Sequence, residues 1–424
     1  VAGNVDLDVT ARVSAGTSGA PLYIGRGLTK AGSGTMRLAG ANTYGGATDV
    51  DQGALVISHS QALGAGGGLL AGTRVNANGQ LRLDGVQVPD EPLMLSRAAS
   101  SGHALASSGD STWGGTVTLN TDSRLSSSGT LVLSNRVSGA GGLLLDGNRF
   151  EFAGAEANTY AGTTWVDCAF VRLNHSVLHN NAIPGNLVVG ANSPDASNIV
   201  QYAVSQQIAD TARVTLHLRS VLDLNGRADW INELEFVGGI APQHGHVKSG
   251  AGFLGVSNQV AAAEFAVGSI AGNLKLAAST VFAVTTNGNV LVPAMIQDGG
   301  FTLRGGGNLK LQGINTFAGL AVVERGVLFA DGTFALGAIT GNTTVQPGGT
   351  LNLQPSVTSL NEPLTLGGSG LLDTGALQAY GDVTLPNAMT LAGDTVVFVE
   401  TNRTLTVTGA IFGGGEPTKI GAGT

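Results

Sequence analysis

The sequence has little charge, few aromatic residues and a single cysteine. Charged side chains make up 12% of its 424 residues and aromatic ones 5%. So few charges disfavour solvent-exposed helix faces, and 21 basic residues spread thinly cannot neutralise many phosphates. We therefore expect no nucleic-acid partner. Because Cys168 is the only cysteine, stability must come from burial and hydrogen bonds rather than from an intrachain disulfide.

Long apolar runs are also missing. No segment approaches the roughly 18 apolar residues of a membrane-spanning helix. The first residues, VAGNVDLDVT, show no basic region followed by an apolar one. We expect either that an export signal has been removed or that the chain is an interior piece.

What the sequence has in abundance is glycine and short alternating apolar runs. Its 66 Gly residues separate segments such as LRLDG and TLNLQP, and 42% of the chain is apolar. Alternation with a period of two, bounded by turn residues, predicts half-buried strands rather than disorder.

Self-similarity fixes the architecture. Three segments, residues 38–57, 156–173 and 311–330, align on an Asn-Thr-aromatic triplet followed at fixed offsets by Gly, Val and an aliphatic residue. The predicted structural corners formed by these copies are Asn42, Tyr44 and Gly46; Asn158, Tyr160 and Gly162; and Asn315, Phe317 and Gly319. The aliphatic positions, Leu55, Val171 and Leu328, are expected in one continuous core.

Other segments repeat as well. TVFAVTTN from Thr280 matches TVVFVETN from Thr395, EPLML from Glu91 matches EPLTL from Glu362, and QALG, AIPG and FALG follow the three corners. Gly or Asn at turns can supply left-handed backbone, and repeated Asn or Thr can form hydrogen-bonded ladders. We interpret the Asn-Thr-aromatic triplet as such a corner.

Strands of this kind, stacked coil upon coil, predict an all-β fold, a right-handed parallel β-helix. At about 20 to 25 residues per coil, the chain holds about 17 to 21 coils. The shared Asn residues are 116 and 157 positions apart, so we expect insertions. A solenoid tolerates these because each coil contacts only its neighbours. The prediction is one continuous β-helix over 1–424, with approximate large repeats at 1–137, 138–297 and 298–424.

Several residues are candidates for catalytic chemistry. GTSGAP around Ser18 is similar to the serine segment of subtilisin-like proteases, but no matching His or Asp segment accompanies it, so a loop is the favoured interpretation. Asp49 and Asp51 share one strand face, as a carboxylate pair would, but Trp165 and Asp167 replace them in the second copy and Val322 and Glu324 in the third. A solvated outer face is expected.

The histidines and the cysteine are candidates for metal binding or nucleophilic chemistry. His244 and His246 permit a surface metal contact but lack a third ligand, which favours a plain loop. His175 and His179 have helical spacing without the Glu of a zinc protease and are expected in an exposed loop. Cys168 is expected to be buried and inert. We predict no cofactor, no metal dependence, and no catalytic residue.

Residues 27–64, GLTKAGSGTMRLAGANTYGGATDVDQGALVISHSQALG, closely resemble the passenger-associated transport repeat of bacterial autotransporters. The second copy departs from it around Cys168 and lacks the TKxGxGT lead, and the third has RGGGN in that lead. The resemblance implies an extracellular passenger at the bacterial cell surface, exported across the outer membrane through a C-terminal barrel domain of the same protein. The repeat is thought to assist that transport.

The expected function is a structural, secretion-assisting stalk in adhesion or surface display, not an enzyme. A ligand on a host or neighbouring cell and self-association are the partners to be tested. Two alternatives stay open: a carbohydrate-active β-helix enzyme, and a self-assembling toxin-like passenger. The closing PTKIGAGT repeats LTKAGSGT at 28–35, so we expect the natural β-helix to continue beyond residue 424.

Overall fold

A computed structural model describes residues 7–9, 27–64, 72–179, 181–191, 197–238 and 244–424. The chain forms two compact units, Val1–Ala209 and Asp210–Thr424. Almost all regular structure is strand, because short alternating runs are separated by turn residues that break any longer helix. In each unit the strands stack in parallel as a β-solenoid, about 17 turns in all. The predicted parallel β-solenoid is therefore confirmed.

The first unit contains sixteen described strands and one turn of 3-10 helix at Ala99–Ser101. The strands are β1 (Leu7–Val9), β2 (Leu28–Lys30), β3 (Thr35–Leu38), β4 (Thr48–Ile57), β5 (Thr73–Asp84), β6 (Gln87–Val88), β7 (Leu93–Leu95), β8 (His103–Ser108), β9 (Ser111–Trp113), β10 (Val117–Leu119), β11 (Ser123–Leu133), β12 (Val137–Gly139), β13 (Leu143–Gly154), β14 (Thr164–His175), β15 (Leu187–Val189) and β16 (Ile199–Tyr202).

The second unit contains twenty-three described strands and one turn of 3-10 helix at Leu371–Asp373. The strands are β17 (Arg213–Leu216), β18 (Val221–Asp223), β19 (Ala228–Phe236), β20 (Gly245–Lys248), β21 (Phe253–Ala262), β22 (Val267–Ala271), β23 (Asn273–Leu276), β24 (Thr280–Val284), β25 (Asn289–Val292), β26 (Met295–Gln297), β27 (Phe301–Arg304), β28 (Asn308–Leu311), β29 (Ala321–Val323), β30 (Gly326–Ala330), β31 (Thr343–Val345), β32 (Gly349–Leu353), β33 (Leu364–Gly368), β34 (Leu377–Ala379), β35 (Val383–Leu385), β36 (Met389–Val399), β37 (Leu405–Val407), β38 (Ile411–Gly413) and β39 (Pro417–Ile420).

The core of each unit is a set of vertical columns of aliphatic side chains. Partners in adjacent coils lie one strand spacing apart, about 4.8 Å, so like residues stack directly. In the first unit one column runs through Leu55, Leu81, Leu105, Leu125, Leu145 and Val166. In the second, one runs through Val290, Leu309, Leu328, Leu351, Leu377 and Val397.

The three aliphatic positions predicted for the core, Leu55, Val171 and Leu328, are all fully buried. Their burial follows from alternation: a strand in a coil turns every second side chain inward, and the fixed offset from the Asn keeps these three on the inward set. Both units have an aliphatic interior of this kind.

No helix in the described part of the chain is long and apolar enough to cross a membrane.

Left-handed turns occur at the matched ends of β24 and β36. Asn287 follows the first strand with φ of 65° and Asn402 follows the second with φ of 61°. Asn tolerates this backbone conformation better than most residues because its short side chain can bond locally. The repeated TN signal that follows Thr280 and Thr395 therefore marks true left-handed turns.

Candidate functional site: the asparagine corners

The Asn-Thr-aromatic triplets adopt one alternating arrangement in all three copies. The Asn and the ring point inward and are at most 4% exposed, whereas the Thr between them is exposed. The buried members are Asn42, Tyr44, Asn158, Tyr160, Asn315 and Phe317; the exposed ones are Thr43, Thr159 and Thr316. The hydrogen bonds of a buried amide must be satisfied by other groups of the protein.

Asn158 ties three consecutive coils together. Its Nδ2 donates to the carbonyl oxygen of Ala182 in the next coil at 2.8 Å, and its Oδ1 accepts from the backbone N–H of Val137 in the preceding coil at 2.7 Å. Its own backbone N–H donates to the Asn181 carbonyl at 3.0 Å. One side chain thus supplements the backbone ladder both above and below its own coil.

The third copy repeats both side-chain contacts, and the first copy repeats the contact to the following coil. Asn42 Nδ2 donates to the Ala62 carbonyl at 2.6 Å, and Asn315 Nδ2 donates to the Ala335 carbonyl at 2.6 Å. Asn315 Oδ1 accepts from the Ile296 N–H at 2.7 Å. The Ala residues belong to the QALG, AIPG and FALG segments, which therefore repeat because each lies in the coil directly after a corner.

The interpretation of the corner Asn as a left-handed residue is wrong. None of Asn42, Asn158 and Asn315 is among the described residues with positive φ. The Asn is required for its side chain, which reaches two backbone groups that the chain turning at the corner leaves without ladder partners.

In the first and third copies the corner ring is covered by the glycine of the next coil. Gly64 has φ of 89°, and a Cβ there would lie 2.3 Å from the Tyr44 carbonyl oxygen and 3.0 Å from its ring. Gly337 has φ of 96° and the same relation to Phe317, at 2.4 and 3.1 Å. Only glycine combines this left-handed backbone with such a close approach to the corner residue. In these two copies the corner and the segment that follows it therefore form one unit of two coils.

The glycines two positions after each corner ring, Gly46, Gly162 and Gly319, lie against neighbouring backbone. A Cβ on Gly162 would meet the Gly142 N–H at 2.4 Å, and one on Gly319 would meet the Gly299 carbonyl oxygen at 2.1 Å. Gly46 is buried at the same offset.

Each tyrosine of a corner is paired with a threonine four residues later. Tyr44 Oη lies 2.8 Å from Thr48 Oγ1, and Tyr160 Oη lies 2.6 Å from Thr164 Oγ1. Burial raises the pKa of Tyr44 to about 12 and raises that of Tyr160 as well. In the third copy Phe317 stands at the tyrosine position and Ala321 at the threonine position, so both hydroxyls are absent. This paired exchange was present in the sequence and was missed.

A double-mutant cycle tests the pair. Tyr160→Phe and Thr164→Ala should each destabilise the chain by about 1 to 2 kcal/mol, because each leaves a buried hydroxyl unsatisfied. Combined, they recreate the third copy, so the double variant should lose clearly less than the two single losses added together. Urea denaturation measures all four free energies of unfolding. Strict additivity would contradict the interpretation.

The first two copies begin on different faces of the coil. The backbone N–H of Thr159 donates to Val137. A ladder of parallel partners leads back from Val137 through Val117, Leu93 and Thr73 to Thr48. The ladder therefore puts the second corner, which contains Thr159, on the same face as Thr48. Thr48 does not belong to the first corner but starts the strand after it. The 116-residue spacing is therefore not a whole number of coils, which explains part of the irregularity assigned to insertions.

Two buried carboxyl groups lie next to the corner units. Glu91 and Glu362, the first residues of the matched EPL segments, are each 5% exposed. Thr73 Oγ1 donates to Glu91 at 2.9 Å, and Thr343 Oγ1 donates to Glu362 at 2.5 Å. Desolvation by burial raises the pKa of both carboxyls to about 7. The repeated EPL signal was recognised in the sequence, but its buried carboxyl was not.

A groove opens beside each carboxyl. The one at Glu91 has a volume of about 330 Å³ and is lined by Gln61, Gly64 and Pro89. The corresponding groove at Glu362 is nearly closed, at about 10 Å³, where Phe334 replaces Gln61.

The outward carboxylates on the strands are engaged across coils. Asp49 pairs with Arg74 at 3.2 Å, and Asp51 accepts from Asn76 Nδ2 at 2.7 Å. Glu324 forms an ion pair with Arg304, which holds the pKa of that carboxyl below its usual range. In the described structure these carboxylates therefore link adjacent coils.

Two histidine interpretations need correction. His175 is fully buried at the end of β14, not exposed, because the alternation that resumes after Phe170 places it on the inward set with Val171 and Leu173. His179 is exposed, with φ of 64°. His246 lies on β20 rather than in a loop, and its ring centroid is 4.1 Å from that of His244.

Desolvation and the neighbouring His244 lower the pKa of His246. Within the described ranges no group of three or more His, Cys, Asp or Glu side chains is placed to hold a metal ion.

The predicted burial of Cys168 is confirmed: its thiol is free and fully buried, and desolvation raises its pKa to about 12. Such a thiol is almost wholly protonated at neutral pH and a poor nucleophile. Ser18 lies outside the described residues.

Comparison with known proteins gives one match. The passenger-associated-transport-repeat family matches residues 28–57 and 301–328, which hold the first and third corners. No curated protein and no solved structure matched the chain. A parallel β-solenoid with such repeats defines the class of exported, surface-displayed repeat proteins. The matched segments cover less than half of the chain; together with the parallel β-solenoid they support an autotransporter passenger with a β-helix.

Proposed function

We propose that this passenger is a secretion-assisting, surface-displayed stalk without enzymatic activity, built to fold coil by coil during export. The observation that supports it is the corner geometry: a buried Asn bonds to the coil before it and to the coil after it. In a solenoid each coil is stabilised only by its neighbours, so a clamp spanning three coils lowers the cost of adding the next.

The outer surface is compatible with display and adhesion. Its ion pairs, including those of Arg74 and Arg304, lie between coils and stiffen the strand faces. The proposed partners are a C-terminal outer-membrane barrel domain of the same protein and a ligand on a host or neighbouring cell.

Export in the producing bacterium tests the role of the corners. The triple substitution Asn42→Ala, Asn158→Ala and Asn315→Ala should lower the amount of passenger at the surface of intact cells several-fold, because coils that fold late do not hold the emerging chain. The matched control is the triple substitution of the exposed neighbours, Thr43→Ala, Thr159→Ala and Thr316→Ala.

The amount of passenger at the cell surface is measured by antibody binding to intact cells and by protease release from them. It is expressed as a fraction of the total passenger in the cells. The threonine variant should match the wild type. Wild-type surface levels of the asparagine variant, or an equal loss in both, would refute a corner-specific role in export.

A further inference from the structure

A cavity of about 460 Å³ lies on the outside of the first unit, away from the corner units. Its floor is made by Leu144 and Trp165, which are register partners on adjacent coils and are both half-buried. Its wall is made by Asp122 and by the 3-10 turn that begins at Ala99. The volume falls within the range of sites that hold small organic ligands.

The wall is preformed. Arg97 fixes the turn by donating from Nη1 to the Gly79 carbonyl at 2.9 Å and from Nε to the Ser101 carbonyl at 3.1 Å. The backbone N–H of Ala99 donates to the Asp122 carbonyl at 2.7 Å. A ligand entering this cavity would therefore not have to order the turn, which removes one of the main costs of binding.

The chemistry of the cavity is amphipathic. Trp165 offers an apolar ring face, and no described residue accepts a hydrogen bond from its indole N–H. Asp122 uses Oδ1 to accept from the Gly142 N–H at 2.7 Å, and because the residue is exposed its carboxylate can accept further hydrogen bonds. Ser100 adds an exposed hydroxyl at the rim. A ring face beside a donor and two acceptors matches a ligand with one apolar face and hydroxyl edges.

The charges beside the cavity favour a neutral ligand over an anionic one. Along the same outward column, Arg124 and His103 both contact the carboxylate of Asp146, the latter at 3.0 Å. The Arg97 guanidinium is engaged by the backbone carbonyls of Gly79 and Ser101. Among the residues that line the cavity the charged group is the Asp122 carboxylate, which repels a phosphate, sulfate or uronate.

We propose that this cavity is a binding subsite for one neutral pyranose ring of a glycan. The C–H face of the sugar stacks on Trp165, its hydroxyls donate to Asp122 and Ser100, and a ring or hydroxyl oxygen accepts from the indole N–H. The site is independent of how the passenger is exported and involves no covalent step.

The test uses the whole chain and a panel of neutral probes: the methyl glycosides of glucose, galactose, mannose and N-acetylglucosamine, with cellobiose, lactose and chitobiose. Saturation-transfer NMR and calorimetry should show at least one probe binding with a Kd of about 1 mM or tighter. Trp165→Ala should weaken that binding at least about tenfold, and Trp165→Phe should retain part of it.

The matched control is Trp230→Ala in the second unit, where the half-buried ring packs edge-on against Phe253 at 6.1 Å between centroids. It should leave sugar binding unchanged. Circular dichroism checks that both alanine variants keep their strand content. The proposal is overturned if no sugar of the panel binds, if Trp165→Ala binds like the wild type, or if tetramethylammonium binds in place of the sugars.

Discussion

The free energy of unfolding should fall by several kcal/mol as pH rises from about 4.5 to above 7, through the ionisation of Glu91 and Glu362. Both carboxyls have a pKa of about 7 in the folded chain, against an ordinary value of 4.5. Between these values the unfolded chain releases protons that the folded chain keeps, so rising pH favours unfolding. The loss is on the order of 3 kcal/mol for each carboxyl.

The surroundings of each carboxyl support this direction. Burial is the main cause at both sites, and the one hydroxyl donor at each, Thr73 or Thr343, only partly opposes it. At the first site the neighbouring Asp90 raises the pKa further. Carboxylates with lowered pKa values, such as that of Asp84, stabilise the fold above their own pKa and lose this only at more acidic pH. Above pH 4.5 the two glutamates therefore lower the stability as pH rises, whereas His246, whose pKa is lowered by burial, acts in the opposite direction.

Glutamine substitutions isolate the effect. Glu91→Gln with Glu362→Gln keeps the side-chain shape and an oxygen that can accept from threonine, but removes the proton. Urea denaturation between pH 4.5 and 8.5 should show a steep loss of stability in the wild type and a much flatter profile in the double variant. Glu264→Gln, at an exposed position, is the control and should keep the wild-type slope. An equally steep profile in the double variant would locate the dependence elsewhere.

Asn158→Ala should cost about 3 to 5 kcal/mol of stability. The substitution removes two buried side-chain hydrogen bonds, to Ala182 and from Val137, and leaves a backbone C=O and N–H on two different coils unsatisfied. Each unsatisfied buried group costs about 1 to 3 kcal/mol. Asn158→Asp should be no better, because a carboxylate cannot donate to the Ala182 carbonyl.

Hydrogen exchange distinguishes this mechanism from a general loss of packing. In Asn158→Ala the Val137 amide should exchange much faster than the amides of coils further away. Thr159→Ala, which changes an exposed side chain one position on, should leave both exchange and the urea midpoint close to wild type. Unchanged protection at Val137 in the alanine variant would show that the Oδ1 contact has no energetic importance.

The sequence by itself determined the parallel β-solenoid, the positions of the repeated corners and the burial of Leu55, Val171 and Leu328. These features depend on local periodicity: alternation of two places a side chain in or out, and a conserved offset keeps matched residues on the inward set. Left-handed turns at Asn287 and Asn402 were likewise within reach, because they depend on one residue's own backbone preference.

Only the tertiary structure decided what each coil places above and below a given residue. The role of Asn158 depends on Val137 and Ala182, and the pKa of Glu91 depends on its burial and on the hydrogen bond from Thr73 in the preceding coil. The prediction that His175 is exposed is wrong because strand β14 continues further than the apolar pattern indicated. Vertical neighbours are about 20 to 25 residues apart and coil lengths vary, so stacking register is set by packing between coils, which one-dimensional periodicity does not specify.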